Sequence, residues 1–168
     1  TRTSGSGSGS IRVQAPARLS ITLTDCAAPR SPYVDVGQQF PVVVEITNGG
    51  EARVESVLVA LEGSGSSAIA DTLVLTGEID GFASAPDTFF VTADGAGVEI
   101  FTANVRSAVD ANSGESGCVL FAEATDDTAQ VVIQDPSALV VTDVTPSQAA
   151  VNAGQTVEWT LSVGVRNA

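Results

Sequence analysis

A stretch near the start of the chain, IRVQAPARLSITLT (residues 11–24), is met again as VVIQDPSALVVTDV (131–144), and this internal repeat limits the possible folds more than any other feature. Gln14 and Gln134, Pro16 and Pro136, Leu19 and Leu139, and Thr22 and Thr142 each stand 120 positions apart. Further on, VDVGQQFPVVVEITNGG (34–50) lies over VNAGQTVEWTLSVGVRNA (151–168), with Val34, Gly37 and Gln38 meeting Val151, Gly154 and Gln155 at a separation of 117. The first copy therefore carries three more residues between the two blocks, in the DCAAPRSP stretch that holds Cys26. The repeat predicts three parts: residues 1–14 as the last strand of a preceding unit or a donor strand, 15–136 as one complete unit, and 137–168 as the first strands of the next.

Within each copy the apolar residues alternate. Phe40, Val42, Val44 and Ile46 share one face, as do Val157, Trp159, Leu161, Val163 and Val165 in the second copy. Period-two alternation marks a strand with one face buried and one face wet. Pro16 and Pro136 follow strand ends, where a missing N–H stops pairing, and the Gly-Gln pairs at 37–38 and 154–155 end a turn and launch the next strand. Between the copies, strands are expected at 54–61, 68–75, 87–93, 98–105, 118–125 and 128–134. Asp94-Gly95-Ala96-Gly97 forms a hairpin or corner turn, and EGSGSS is a flexible loop. About seven short strands at this spacing predict an all-β chain folded as a β-sandwich. Phe89, Phe90 and Phe101 are assigned to its core rather than to a ligand face.

Several chemistries are excluded by what the chain lacks. It has no His and no Lys, so a Ser-His-Asp triad, a Schiff base and a phosphate-binding P-loop cannot be built. Asp126 and Asp127 are adjacent on an expected strand and point to opposite faces, which is wrong for a carboxylate pair sharing a substrate. Seven Arg against twenty acidic residues leave a net charge of −13, which argues against nucleic acid or an anionic membrane as partner. No apolar run approaches the roughly 18 residues of a membrane span.

The two cysteines, Cys26 and Cys118, read either as one disulfide in an oxidising compartment or as two buried free thiols. A bridge between them would contribute about 4–5 kcal/mol in the chain-entropy model. Asp110-Ala-Asn112-Ser-Gly114-Glu115 places oxygen ligands at alternate positions like the opening of a calcium loop, but position 121 is Phe where the distal Glu would stand. The same residues build self-bonded Asx turns. Asp110, Asn112 and Glu115 are thus weak calcium candidates, joined by Asp25, Asp126 and Asp143 near the unit boundaries; no other cofactor is expected.

VDVGQQFPVVVEITNGGEARVESVLVALEGSGS, VRSAVDANSGE and PSALVVTDVTPSQAAVNAGQTVEWTLSV together resemble the tandem immunoglobulin-like repeats of bacterial surface proteins, the CARDB and related adhesion-type domains. The resemblance covers nearly the whole chain and brings no catalytic residue. It implies an Ig-like sandwich, an extracellular or cell-surface location and a role as stalk, fibre or adhesin. One departure is that Trp159 follows both cysteines instead of lying between them, so a Cys26–Cys118 bridge would be a local staple. The expected function is a non-catalytic structural repeat that self-associates head to tail by strand complementation. Ile11, Val13, Val157, Trp159, Leu161, Val163 and Val165 are the expected assembly residues. The alternative is an adhesin module that recognises a glycan or host protein through its loops.

Overall fold

A computed structural model describes residues 9–26, 33–65, 67–121 and 126–168, with Asp25 and Cys26 described in backbone only. The chain divides into two compact units, Thr1–Gln134 and Asp135–Ala168.

The first unit is a Greek-key β-sandwich. Its strands are β1 (Arg18–Cys26), β2 (Tyr33–Asp35), β3 (Gln39–Asn48), β4 (Val54–Gly63), β5 (Ala68–Ile69), β6 (Leu73–Ile79), β7 (Ser84–Thr92), β8 (Gly97–Asp110), β9 (Leu120–Phe121) and β10 (Asp126–Gln134). One sheet runs β5-β7-β3-β1-β9 and the other β2-β10-β8-β4-β6. The chain crosses between them at 93–96, because β7 pairs with β3 while β8 pairs with β4 and β10. The Asp94–Gly97 turn is therefore a corner between sheets, the second of its two expected forms. The expected strand at 68–75 divides into β5 and β6, which belong to different sheets, and β2 is a short strand that the alternation does not mark.

The core follows from the alternation. Phe40, Val42, Val44 and Ile46 of β3 are fully buried, facing Val57, Val59 and Leu61 of β4 and Phe101 and Ala103 of β8. Phe40 and Phe101 meet edge to face across the sandwich, with centroids 5.9 Å apart at 67°; such a pair adds about 0.5–1.5 kcal/mol beyond area burial. Phe89 joins this core, whereas Phe90, one position out of phase, faces solvent and corrects the expectation for that residue.

Two polar side chains lie inside. Asn48 is completely buried. Its carboxamide nitrogen donates to the carbonyls of Ala52, Ile79 and Asp80, and its oxygen accepts from the N–H groups of Arg18 (3.2 Å) and Gly50 (3.0 Å). One side chain thus ties the start of β1, the turn after β3 and the end of β6. Gly50 is required there: a Cβ at this position would lie 2.0 Å from the Pro16 carbonyl oxygen. Glu99 occupies an inward position of β8 and is 2% exposed. Its carboxylate accepts from the N–H groups of Gly65 (2.6 Å) and Ser67 (3.5 Å) and from the Ser67 hydroxyl (3.1 Å). The Gly/Ser loop expected to be flexible is therefore held by a buried acid, and Cβ atoms at Gly63 and Gly65 would come within 2.7 and 2.2 Å of its oxygens.

The second unit is a two-stranded antiparallel sheet of β11 (Leu139–Pro146) and β12 (Leu161–Asn167). The alternation beginning at Val157 predicts an earlier start. Residues 157–160 instead lie outside the ladder, although Ser147 N–H still reaches the Thr160 carbonyl at 2.9 Å.

Candidate assembly surface

The second unit reproduces the β1–β3 ladder of the first in hydrogen-bonded detail. Leu19 pairs with Asn48, and Leu139 pairs with Asn167. The Asn48 oxygen accepts from Arg18 N–H at 3.2 Å, and the Asn167 oxygen accepts from Ala138 N–H at 3.1 Å. The next rung is also shared: Gly49 N–H to Arg18 O at 2.8 Å, and Ala168 N–H to Ala138 O at 2.7 Å. Each ladder contains one irregularity, between Leu23 and Asp25 in one and between Val141 and Asp143 in the other.

The turn before the strand is copied as well. Gln38 bonds through its N–H to Asp35 O at 2.9 Å, and its side-chain oxygen accepts from Asp35 N–H at 3.1 Å. The counterparts are Gln155 to Asn152 O at 3.1 Å and Asn152 N–H to the Gln155 side chain at 3.3 Å. Both turns need a left-handed residue, supplied by Gly37 at φ +85° and Gly154 at φ +81°.

Burial separates the copies. In the first, Leu19, Ile21, Val42, Val44 and Ile46 are all closed off from water. In the second, Leu139, Val141, Val144, Leu161, Val163 and Val165 are exposed, as are Val157 and Trp159 in the segment leading to β12. The five expected assembly residues near the C-terminus are thus all exposed, with Leu161, Val163 and Val165 on β12. Ile11 and Val13 are exposed too, and residues 11–14, expected as the last strand of a preceding unit or as a donor strand, pair with no strand of their own chain.

The structure does not bring the two cysteines together. Cys26 ends β1 opposite Val42, whereas Cys118 lies just before Leu120, whose N–H bonds the Ala17 carbonyl at the start of β1. At roughly 3.3 Å per residue, the nine-residue strand places them far beyond the ~7 Å limit between Cα atoms of a disulfide. Cys118 is an exposed free thiol, and the Cys26 side chain lies outside the described residues. The expected staple is corrected by this register.

The calcium candidates form a self-bonded turn. One Asp110 carboxylate oxygen accepts from Asn112 N–H (3.0 Å), Ser113 N–H (2.9 Å) and the Ser113 hydroxyl (3.0 Å), and the Asn112 amide donates to Gln14. Glu115 contributes its main-chain carbonyl, to Asp110 N–H. Among the described residues no group of three or more acidic, Cys or His side chains is gathered as a metal site. Asp143 accepts from Thr142 and Thr145, and the Asp25 side chain lies outside the described residues. Asn48 is legible in the sequence only as part of the Asn48-Gly49-Gly50 turn that closes its strand, and Asn167 and Glu99 carry no recognised role there. For Glu99 a signal exists, since it falls in phase with Phe101, Ala103 and Val105.

Comparison with known proteins places the fold. No family model matches the chain and no curated protein matches it. Among solved structures it is similar to the CARDB domain of PF1109 from Pyrococcus furiosus, at 19–21% identity over 70–73% of this chain and 94–97% of that domain, TM-score 0.47. One of those structures is a complex with di-metal ions. It is also similar to native α2-macroglobulin from Escherichia coli, from domain MG7 to the C-terminus, at 17% identity over 80% of this chain and 19% of that one, TM-score 0.51. The CARDB resemblance read from the sequence is met again among the solved structures. With the strand order described above, the chain is an all-β protein built on an immunoglobulin-like β-sandwich.

Proposed function

We propose that the chain is a non-catalytic, extracellular structural repeat of a cell-surface stalk or filament, assembling head to tail through the β11–β12 hairpin. One observation carries this reading: the hairpin repeats the bonding of β1 and β3 while its apolar face, buried in the first unit, is open. A two-stranded sheet is at best marginally stable in water, and each Val or Leu it covers on assembly contributes about 1.5–3 kcal/mol. Strand addition from a neighbouring chain extends the edge of such a sheet, and a second sheet packed against it covers the apolar face. The absence of His and Lys and the engagement of the Asp110 turn with its own backbone support a role without chemistry or a bound metal.

Sedimentation velocity over a range of concentrations, with electron microscopy of the native material, tests the reading. Concentration-dependent association, abolished by Val163→Asp, is expected; a chain that stays monomeric at every concentration retires it. The second reading, an adhesin, is favoured by one feature. An open groove of about 620 Å³ lies beside the Glu99-held loop, lined in part by Leu61, Glu62, Ser67, Leu73 and Arg106. Binding on a glycan array that is lost in Arg106→Ala would favour it.

A further inference from the structure

The strand beside which β10 closes the first unit identifies a specific contact between copies. In that unit β10 pairs in parallel with β2, Val132 opposite Tyr33, Ile133 opposite Val34 and Gln134 opposite Asp35, and Val36 N–H extends the ladder to Gln134 O at 2.8 Å. The internal repeat supplies a second version of each partner. Arg12, Val13 and Gln14 correspond to Val132, Ile133 and Gln134, and Ala150, Val151 and Asn152 correspond to Tyr33, Val34 and Asp35.

Both versions are present and neither has a strand partner, although the Arg12 side chain ion-pairs with Glu51 and the Gln14 side chain bonds Glu51 O and Asn112. Residues 11–14 and 150–152 lie in no strand. Ile11 is 90% and Val13 86% exposed, where Val131 is 0% and Ile133 3%. Val151 is exposed where Val34 is buried. The receiving edge is already shaped, because the turn that fixes Asp35 in the first unit is reproduced bond for bond at Asn152–Gln155. Among the described residues, Ala153 N–H, the counterpart of Val36 N–H, has no hydrogen-bond partner.

We infer that the segment Ile11–Gln14 of one copy adds in parallel to Ala150–Asn152 of a second copy, with Arg12 opposite Ala150, Val13 opposite Val151 and Gln14 opposite Asn152. Gln14 O then accepts from Ala153 N–H. The inference rests on the head-to-tail reading above and names its contacting segments. A second copy is the fitting occupant because it carries both segments, and their counterparts β10 and β2 pair in this register within the first unit. A contact between two different patches does not close on itself and propagates into a filament. Parallel strand addition supplies main-chain hydrogen bonds, and the inward positions Val13 and Val151 set the register.

The test uses the full chain with Cys26→Ser and Cys118→Ser, so that introduced thiols are unique. Chains carrying Arg12→Cys are mixed with chains carrying Ala150→Cys, Ala149→Cys or Ala153→Cys and oxidised with copper–phenanthroline. Arg12 and Ala150 correspond to outward positions, so neither change disturbs a core. A mixed disulfide at 12/150 that exceeds the two offset pairs by at least tenfold is expected. In the otherwise native chain, Val13→Asp is expected to weaken association at least tenfold. Because Val13 is exposed, this variant keeps the melting temperature of the sandwich. Equal or absent cross-linking at all three positions, or association unchanged by Val13→Asp, overturns the register while leaving head-to-tail assembly standing. A chain that never associates overturns both.

Discussion

Asn48 and Glu99 show how single polar residues organise a sandwich otherwise held by β-branched and aromatic side chains. Asn48 makes five hydrogen bonds inside the fold, so Asn48→Ala removes one partner from each of three carbonyls and two N–H groups, of which Asp80 O keeps the Ala83 N–H. A loss of about 3 kcal/mol is expected from chemical denaturation, at the upper end for a single substitution. Glu99 and Gly65 are a coupled pair, since a Cβ at position 65 would meet the Glu99 carboxylate. Gly65→Ala is expected to destabilise the native chain by about 1–2 kcal/mol and to be near neutral in a Glu99→Ala background. Additive effects in that double-mutant cycle would contradict the contact. For Asp110, whose oxygen is engaged by three donors of its own turn, a thermal melt should be unchanged by EDTA or by millimolar calcium. A rise of several degrees with calcium would show that the turn opens to take the ion.

Among the elements, the strands longest and most regular in alternation are legible in the amino-acid pattern alone, and the short or irregular ones are not. β3 and β8 declare themselves because their inward apolar residues fall on every second position, whereas β4 and β7 are marked by the apolar runs VLVAL and FFV, which show a strand but not which way each side chain faces. β2 is three residues with one inward side chain, too few to show a period. Residues 157–160 alternate but lie outside the ladder, which ends at the Pro146–Leu161 pair; beyond it only Ser147 and Thr160 remain bonded, through the Ser147 N–H and hydroxyl. The expected disulfide fails because sequence separation says nothing about which end of a strand a cysteine occupies. The candidate surface is legible as an exposed repeat, but Asn167 is not, since its role appears only beside the Ala138 amide. Hydrogen exchange should separate the elements: amides of β3 and β8 protected, those of β11 and β12 exchanging orders of magnitude faster in dilute solution and slowing with concentration. Equal protection of both units at low concentration would mean that the hairpin is already covered.

At the scale of the whole molecule, charge opposes the proposed head-to-tail association. Each copy carries a net charge of −13. The ion pairs Arg53 with Glu55 and Glu78, and Arg12 with Glu51, are exposed and offset little of it. Raising salt from about 0.01 to 0.15 M shortens the screening length from roughly 30 to 8 Å, so association should strengthen with ionic strength. Weakening with salt, measured by light scattering, would mean that charge pairing and not apolar contact holds the copies. Arg18 begins β1 beside the end of β3, while Gln134 ends β10 beside the turn that precedes β3, so the chain leaves the sandwich at opposite poles. A pull along the chain then loads β1 against β3, and β10 against β2, in shear. All rungs of each ladder then bear the force together instead of parting one after another.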